Sequence, residues 1–122
     1  MILRTLLTIA WVFLAPLTVI AGEADVVDVK VRKTGPQTFS FDVTVRHGDT
    51  GWEHYANRWD VVTPDGKVLG KRILHHPHEN EQPFTRSLSG VKIPTDITTV
   101  TLRANDKVHA LGGVTKTVKV PH

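Results

Sequence analysis

Apolar and polar residues alternate with period two through one short segment after another from Val27 onward, and no stretch repeats its apolar residues at helical spacing. A segment patterned this way buries one face and wets the other, so the chain must fold as half-buried strands. Val27, Val29 and Val31 alternate with Asp28, Lys30 and Arg32 in the first segment. Phe39, Phe41, Val43 and Val45 alternate with Ser40, Asp42, Thr44 and Arg46 in the second. The third runs from about His54 to Val62, with Tyr55, Asn57, Trp59 and Val61 on one face. The fourth covers about Lys67 to Leu74 and the fifth Phe84 to Leu88. Val100, Leu102 and Ala104 mark the sixth, and Val114 to Val120 the seventh. Thr34–Gln37, Thr63–Gly66 and Ile93–Asp96 read as turns, with Pro64 and Gly66 suited to their turn positions. His47–Gly51, His75–Pro83 and Asn105–Gly113 read as loops, and Gly112-Gly113 is expected to let the last hairpin turn.

Seven short strands at this spacing predict an all-β fold: a single seven-stranded antiparallel β-sandwich. Its expected core is Val29, Val31, Phe39, Phe41, Val43, Trp59, Val61, Leu102 and Val118. The chain has no cysteine, so no disulfide supports this core. The strand count and pattern resemble fibronectin type III-like and immunoglobulin-like sandwiches. A tighter resemblance lies in Gly51-Trp52-Glu53-His54-Tyr55, Trp59 to Gly66, His76-Pro77-His78 and Glu81 to Leu88. These segments resemble a family of small exported bacterial proteins to which no activity is attached. The resemblance implies export and a sandwich, and it carries over no catalytic or binding residue.

The amino terminus has the order of a secretory signal. Arg4 is followed by an uncharged run from Thr5 to Ile20, and Val19 and Ala21 suit the −3 and −1 positions of a cut before Gly22. A cut after Ala24 is the alternative. The run is too short for a membrane span of roughly 20 apolar residues, and Pro16 interrupts it. The expected division is therefore a signal peptide over 1–21 and a β-sandwich domain over 22–122, periplasmic or secreted, with no membrane contact once the signal is gone. The mature part holds 14 Lys and Arg against 12 Asp and Glu, too slight an excess to suggest nucleic acid. It also lacks sulfur, because Met1 is the one methionine, so soft-metal sites are disfavoured.

The histidines are the informative residues. In a sandwich of this topology the second–third, fourth–fifth and sixth–seventh connections share one pole. His47 and His54 bracket the first of these, His75, His76 and His78 lie in the second, and His109 in the third. Only His122 falls elsewhere. Imidazole and carboxylate suit borderline cations, so the pole is expected to bind Zn or Cu(II). His54, His76, His78 and His109 rank first as ligands, and His47, His75, Glu81 and Asp106 second. Pro77 holds His76 extended, which sends His76 and His78 to the same side of the chain. The competing readings are loop histidines without a common role and a non-enzymatic module that presents the three loops to a protein partner. Catalysis ranks below both, for no nucleophile with a base, phosphate loop or dinucleotide fingerprint is present. Trp52 is expected to cap the core, and Arg58 and Asp60 to form a solvated pair.

Overall fold

Residues 22–122 are described in a computed structural model, and the expected signal over 1–21 lies outside the described residues. Seven strands form: β1 (Asp25–Gly35), β2 (Thr38–Arg46), β3 (Ala56–Val62), β4 (Val68–Ile73), β5 (Phe84–Lys92), β6 (Thr99–Asp106) and β7 (Lys116–Lys119). They make two antiparallel sheets, ordered β1-β2-β5 and β4-β3-β6-β7. Phe39, Phe41, Val43 and Val45 of β2 face Trp59, Val61, Val100 and Leu102 of the other sheet in one buried core.

Two bulges change the phase of the strands from the simple alternation. The β1–β2 register shifts between Val26 and Asp28. Val26 is therefore fully buried, Val27 is only half-buried, and Val29 and Val31 pack at the margin of the core, as does Val118. The β3–β6 register shifts between Ala56 and Arg58. Ala56 and Trp59 are both buried in consequence, and Tyr55 and Asn57 leave the inward phase.

Other side chains also depart from expectation. Asp60 is fully buried on the outer face of β3, where it accepts from Arg58 Nε at 2.9 Å and Arg103 Nε at 3.0 Å, so it is not a solvated pair. Trp52 does not cap the core; it is 60 % exposed. Gly112 and Gly113 do not serve a left-handed turn, since neither has a positive φ. They allow a close approach instead. A Cβ on Gly113 would lie 1.9 Å from the Ala24 carbonyl oxygen, and one on Gly112 2.6 Å from Glu23 Cγ. Residues 23–26 thus pack closely against the β6–β7 loop, where Val26 N donates to Val114 O and Val114 N to Asp25 Oδ1.

Candidate metal centre

The inward phase of two strands runs on past their ends and delivers polar groups to one pole. In β6, Val100, Leu102 and Ala104 point inward, and Asp106 takes the next inward position. In β2, Phe39, Phe41, Val43 and Val45 point inward, and His47 and Asp49 continue the same phase beyond Arg46. Ala56 pairs with Asp106, so the residues just before β3 arrive at the same place.

His47 donates from Nδ1 to Asp49 Oδ1 at 2.5 Å, with both side chains fully shielded from solvent. Asp49 is then saturated by backbone amides. Ala56 N donates to Oδ1 at 3.0 Å and His78 N to Oδ2 at 2.7 Å. One buried carboxylate so joins the β2–β3 loop, the start of β3 and the β4–β5 loop. Gln82 adds a second tie, accepting from His47 N at 3.0 Å and donating to His78 O at 2.9 Å.

With Nδ1 engaged, His47 turns Nε2 toward His54 Nε2, 3.2 Å away, and Asp106 Oδ2, 3.7 Å away. His54 Nε2 lies 3.3 Å from Asp106 Oδ1. His47, His54 and Asp106 each offer one ligand atom, and the three atoms lie within 4.8 Å of one another. Two nitrogens on one tetrahedral zinc, each at 2.0–2.1 Å, stand about 3.3 Å apart, which matches the His47–His54 spacing. Asp106 is aimed by its own loop, for Val108 N and His109 N donate to Oδ1 at 2.8 and 2.6 Å. Its Oδ2 is buried with no hydrogen-bond partner. An unpaired buried carboxylate oxygen beside two imidazole nitrogens is a position that a cation satisfies.

The same arrangement sets the protonation of the apo site. Burial works to discharge His47, but the Asp49 hydrogen bond and the charges of Asp49 and Asp106 outweigh it and hold its pKa above the usual 6.5. Burial works to protonate Asp49, but His47 and the His78 and Ala56 amides outweigh it and hold the carboxyl below 3.8. Asp106 is also held below 3.8, since the His109 and Val108 amides and the nearby imidazoles outweigh its burial.

His109 sits at the mouth of the group. Its Nδ1 is 3.4 Å from Asp106 Oδ1, its ring centroid is 5.0 Å from that of His54, and its side chain is 33 % exposed. His76 and His78 form a separate pair with ring centroids 4.6 Å apart, as their spacing suggested. They are not members of the three-residue group. His78 stacks on Phe84 at 4.0 Å, its Nδ1 is 3.9 Å from Asp49 Oδ2, and neither of its buried ring nitrogens has a partner. Burial, then Arg86 and His76, hold its pKa below 6.5. His75 and His76 are exposed, and Glu81 is tied to Arg86 at 2.9 Å. His122 lies apart, bonded to Ile97 O at 2.7 Å.

Comparison with known proteins finds a clear similarity. A protein of Halomicrobium mukohataei named "Putative lipoprotein" is 42 % identical over 91 residues, which cover 75 % of this chain and 44 % of that protein. The chain thus spans less than half the length of the curated relative it matches. No family model matches the chain. No solved structure matches it either.

Asp49 is the buried residue of this group that spacing alone left unassigned. The signal that locates it is the inward phase of β2, extended through His47 to Asp49. No alternation reveals its amide donors, because they come from segments 7 and 29 residues further along the chain. Among the described residues no helix is long and apolar enough to cross a membrane.

Proposed function

We propose that this protein is an exported β-sandwich that binds one divalent transition metal, Zn or Cu(II), at its histidine pole. His47 Nε2, His54 Nε2 and Asp106 are the ligands, and His109 closes the shell by turning its exposed ring inward. Asp49 fixes the His47 tautomer, the role a carboxylate behind a metal-bound histidine commonly fills. His76 and His78 belong to the surroundings of the centre, coupled to it through Asp49. The observation that carries this reading is Asp106 Oδ2, buried without a partner and facing His47 Nε2 at 3.7 Å. Nitrogen and oxygen donors without sulfur favour a borderline cation.

The lipoprotein name of the relative and the uncharged Thr5–Ile20 run support export, with 1–21 as the signal and 22–122 as the mature domain. The sheet order supports a fibronectin type III-like sandwich. In an immunoglobulin constant domain the fourth strand joins the first sheet, whereas here β4 pairs with β3 in the second. Metal content of untagged protein, followed by titration with Zn(II) and Cu(II), tests the reading.

A second reading is a docking module for a protein partner. Trp52, Val108 and Leu111 are 60 %, 60 % and 41 % exposed on the loops that carry His54 and His109. Apo protein that binds no metal at micromolar concentration favours that reading.

A further inference from the structure

β4 and β5 are edge strands of different sheets and lie against each other at one seam of the sandwich. Arg72 Nε of β4 crosses this seam to donate to Ser87 O of β5 at 2.9 Å. Where the β4–β5 loop meets the seam there is a small pocket of about 70 Å³, walled by Arg72, Leu74, His75, His76, His78 and Arg86. Every titratable group in that wall is a guanidinium or an imidazole. A larger cleft of about 720 Å³ shares His76, His78 and Arg86 with it and adds Trp52, Glu79, Asn80 and Glu81.

The donors of the pocket are fixed before any ligand arrives. The His78 side chain is 4 % exposed, and both of its ring nitrogens are buried without a partner. An imidazole always carries at least one N–H, so a buried donor here lacks its acceptor. The ring cannot easily swing out to find one, because it stacks on Phe84 at 4.0 Å. Arg86 Cζ lies 5.7 Å from the centre of the same Phe84 ring. Arg72 is held through Nε and Nη1, by Ser87 O and Ile73 O. Arg86 is held through Nη1, by Glu81 Oε1 and Thr85 O. Nη2 of each arginine takes part in none of these bonds. Glu81 is 57 % exposed, so its hold on Arg86 is screened by water.

We infer that this pocket binds a tetrahedral oxyanion of the phosphate class, held by Arg72, Arg86 and His78. Two guanidinium groups repel a metal cation from the His76–His78 pair and attract an anion to it. A water needs about 10–15 Å³ of such space, so the pocket has room for an ion of five heavy atoms but not for a larger molecule. Guanidinium forks match the oxygen spacing of carboxylate and of phosphate. Here one fork comes from each of two strands and the imidazole N–H comes from a loop. A flat carboxylate has two oxygens for these three donors, whereas a phosphate has enough for all of them.

The adjoining cleft determines whether the ion comes alone or attached to a body. Trp52, 60 % exposed, offers a flat apolar face there, and Glu79, Asn80 and Glu81 offer hydrogen-bonding groups. A sugar ring has the matching surface, with an apolar C–H face and a rim of hydroxyls. A sugar phosphate uses both spaces, and free phosphate uses only the small one.

The test is calorimetric titration of chelator-treated protein, so that metal plays no part, with inorganic phosphate and with glucose 6-phosphate. Glucose is the control and should not bind. Both phosphates should bind at millimolar concentration or below. Glucose 6-phosphate binding at least tenfold more tightly assigns the cleft to a sugar body, and equal affinity assigns the pocket to the free ion. His78→Phe keeps a ring on Phe84 but removes the N–H, and Arg86→Gln removes a charge. Each should weaken phosphate by about tenfold or more, with thermal unfolding showing that both variants fold. Glu81→Gln releases Arg86 and should tighten phosphate by about two- to fivefold, a gain that no loss of structure can produce. Absence of binding by either phosphate, or binding that His78→Phe and Arg86→Gln leave unchanged, overturns the inference.

Discussion

Asp49 accepts the Nδ1 proton of His47 at 2.5 Å in a place no solvent reaches, so His47 offers the pole only its Nε2. The tautomer and the ring orientation of one candidate ligand are thereby set before any metal arrives. Asp49→Asn keeps the shape but weakens this hold. We expect it to lower metal affinity by about 10–100-fold, the range for loss of a carboxylate behind a ligating histidine. Calorimetric titration of the variant against the parent measures it.

The same pair makes apo stability depend on pH in two directions. The folded state raises the His47 pKa above 6.5, so its contribution is full below that pH and is lost as pH rises through the raised value. The folded state lowers the Asp49 pKa below 3.8, so its contribution is full above that pH and is lost as pH falls through the lowered value. The His47–Asp49 pair should therefore contribute most between roughly pH 4 and 6.5, the unshifted values of the two groups, while buried His78, whose pKa is held below 6.5, works the other way as pH falls below that value. Metal should invert the trend above pH 6, because protonated imidazole has no lone pair to donate. Unfolding midpoints with and without Zn(II) across pH 4–8 check both slopes.

Trp59→Ala should cost about 3–5 kcal/mol, as loss of a fully buried aromatic does. Trp59 is fully buried in the core, on the strand that pairs directly with β6. Denaturant unfolding measures the loss, and a value under about 1 kcal/mol would mean that the side chain is not held in a packed core.

Much of this fold was legible from alternation, because each strand buries one face. Phe39, Phe41 and Val43 were readable as core for that reason, and so were Val61 and Leu102. The bulges were not readable. Nothing in Val26-Val27-Asp28 or Tyr55-Ala56-Asn57 marks the residue at which the phase slips, and the pairing strands decide it. The histidine pole followed from counting connections, which contacts from His47 to His54, and from Asp106 to His109, now join. The ranking within it was harder to read. His47 ranks only second by its place at the start of a loop, and its partner Asp49 gains its buried setting from Ala56 and His78, which only the folded chain brings near.

His76 and His78 separate the side-chain group from the histidine pair beside it. His76→Ala removes an exposed ring and should leave affinity within about twofold, while His78→Ala should lower stability by about 1–3 kcal/mol through loss of its stacking on Phe84. Gly113→Ala should cost a similar amount, because its Cβ collides with the Ala24 carbonyl and the neighbouring backbone must move. Parallel titration and thermal unfolding of the three variants distinguish affinity from stability.

The central claim is that His47, His54 and Asp106 hold one metal ion. Its most direct measurement is titration of untagged, chelator-treated protein with Zn(II) and Cu(II) at pH 7.5, repeated on Asp106→Ala. We expect one ion per chain in the parent at micromolar metal or below, and at least a hundredfold weaker binding in the variant, whose apo fold is checked by circular dichroism. Binding that is absent in the parent, or unchanged when Asp106 is removed, would contradict it.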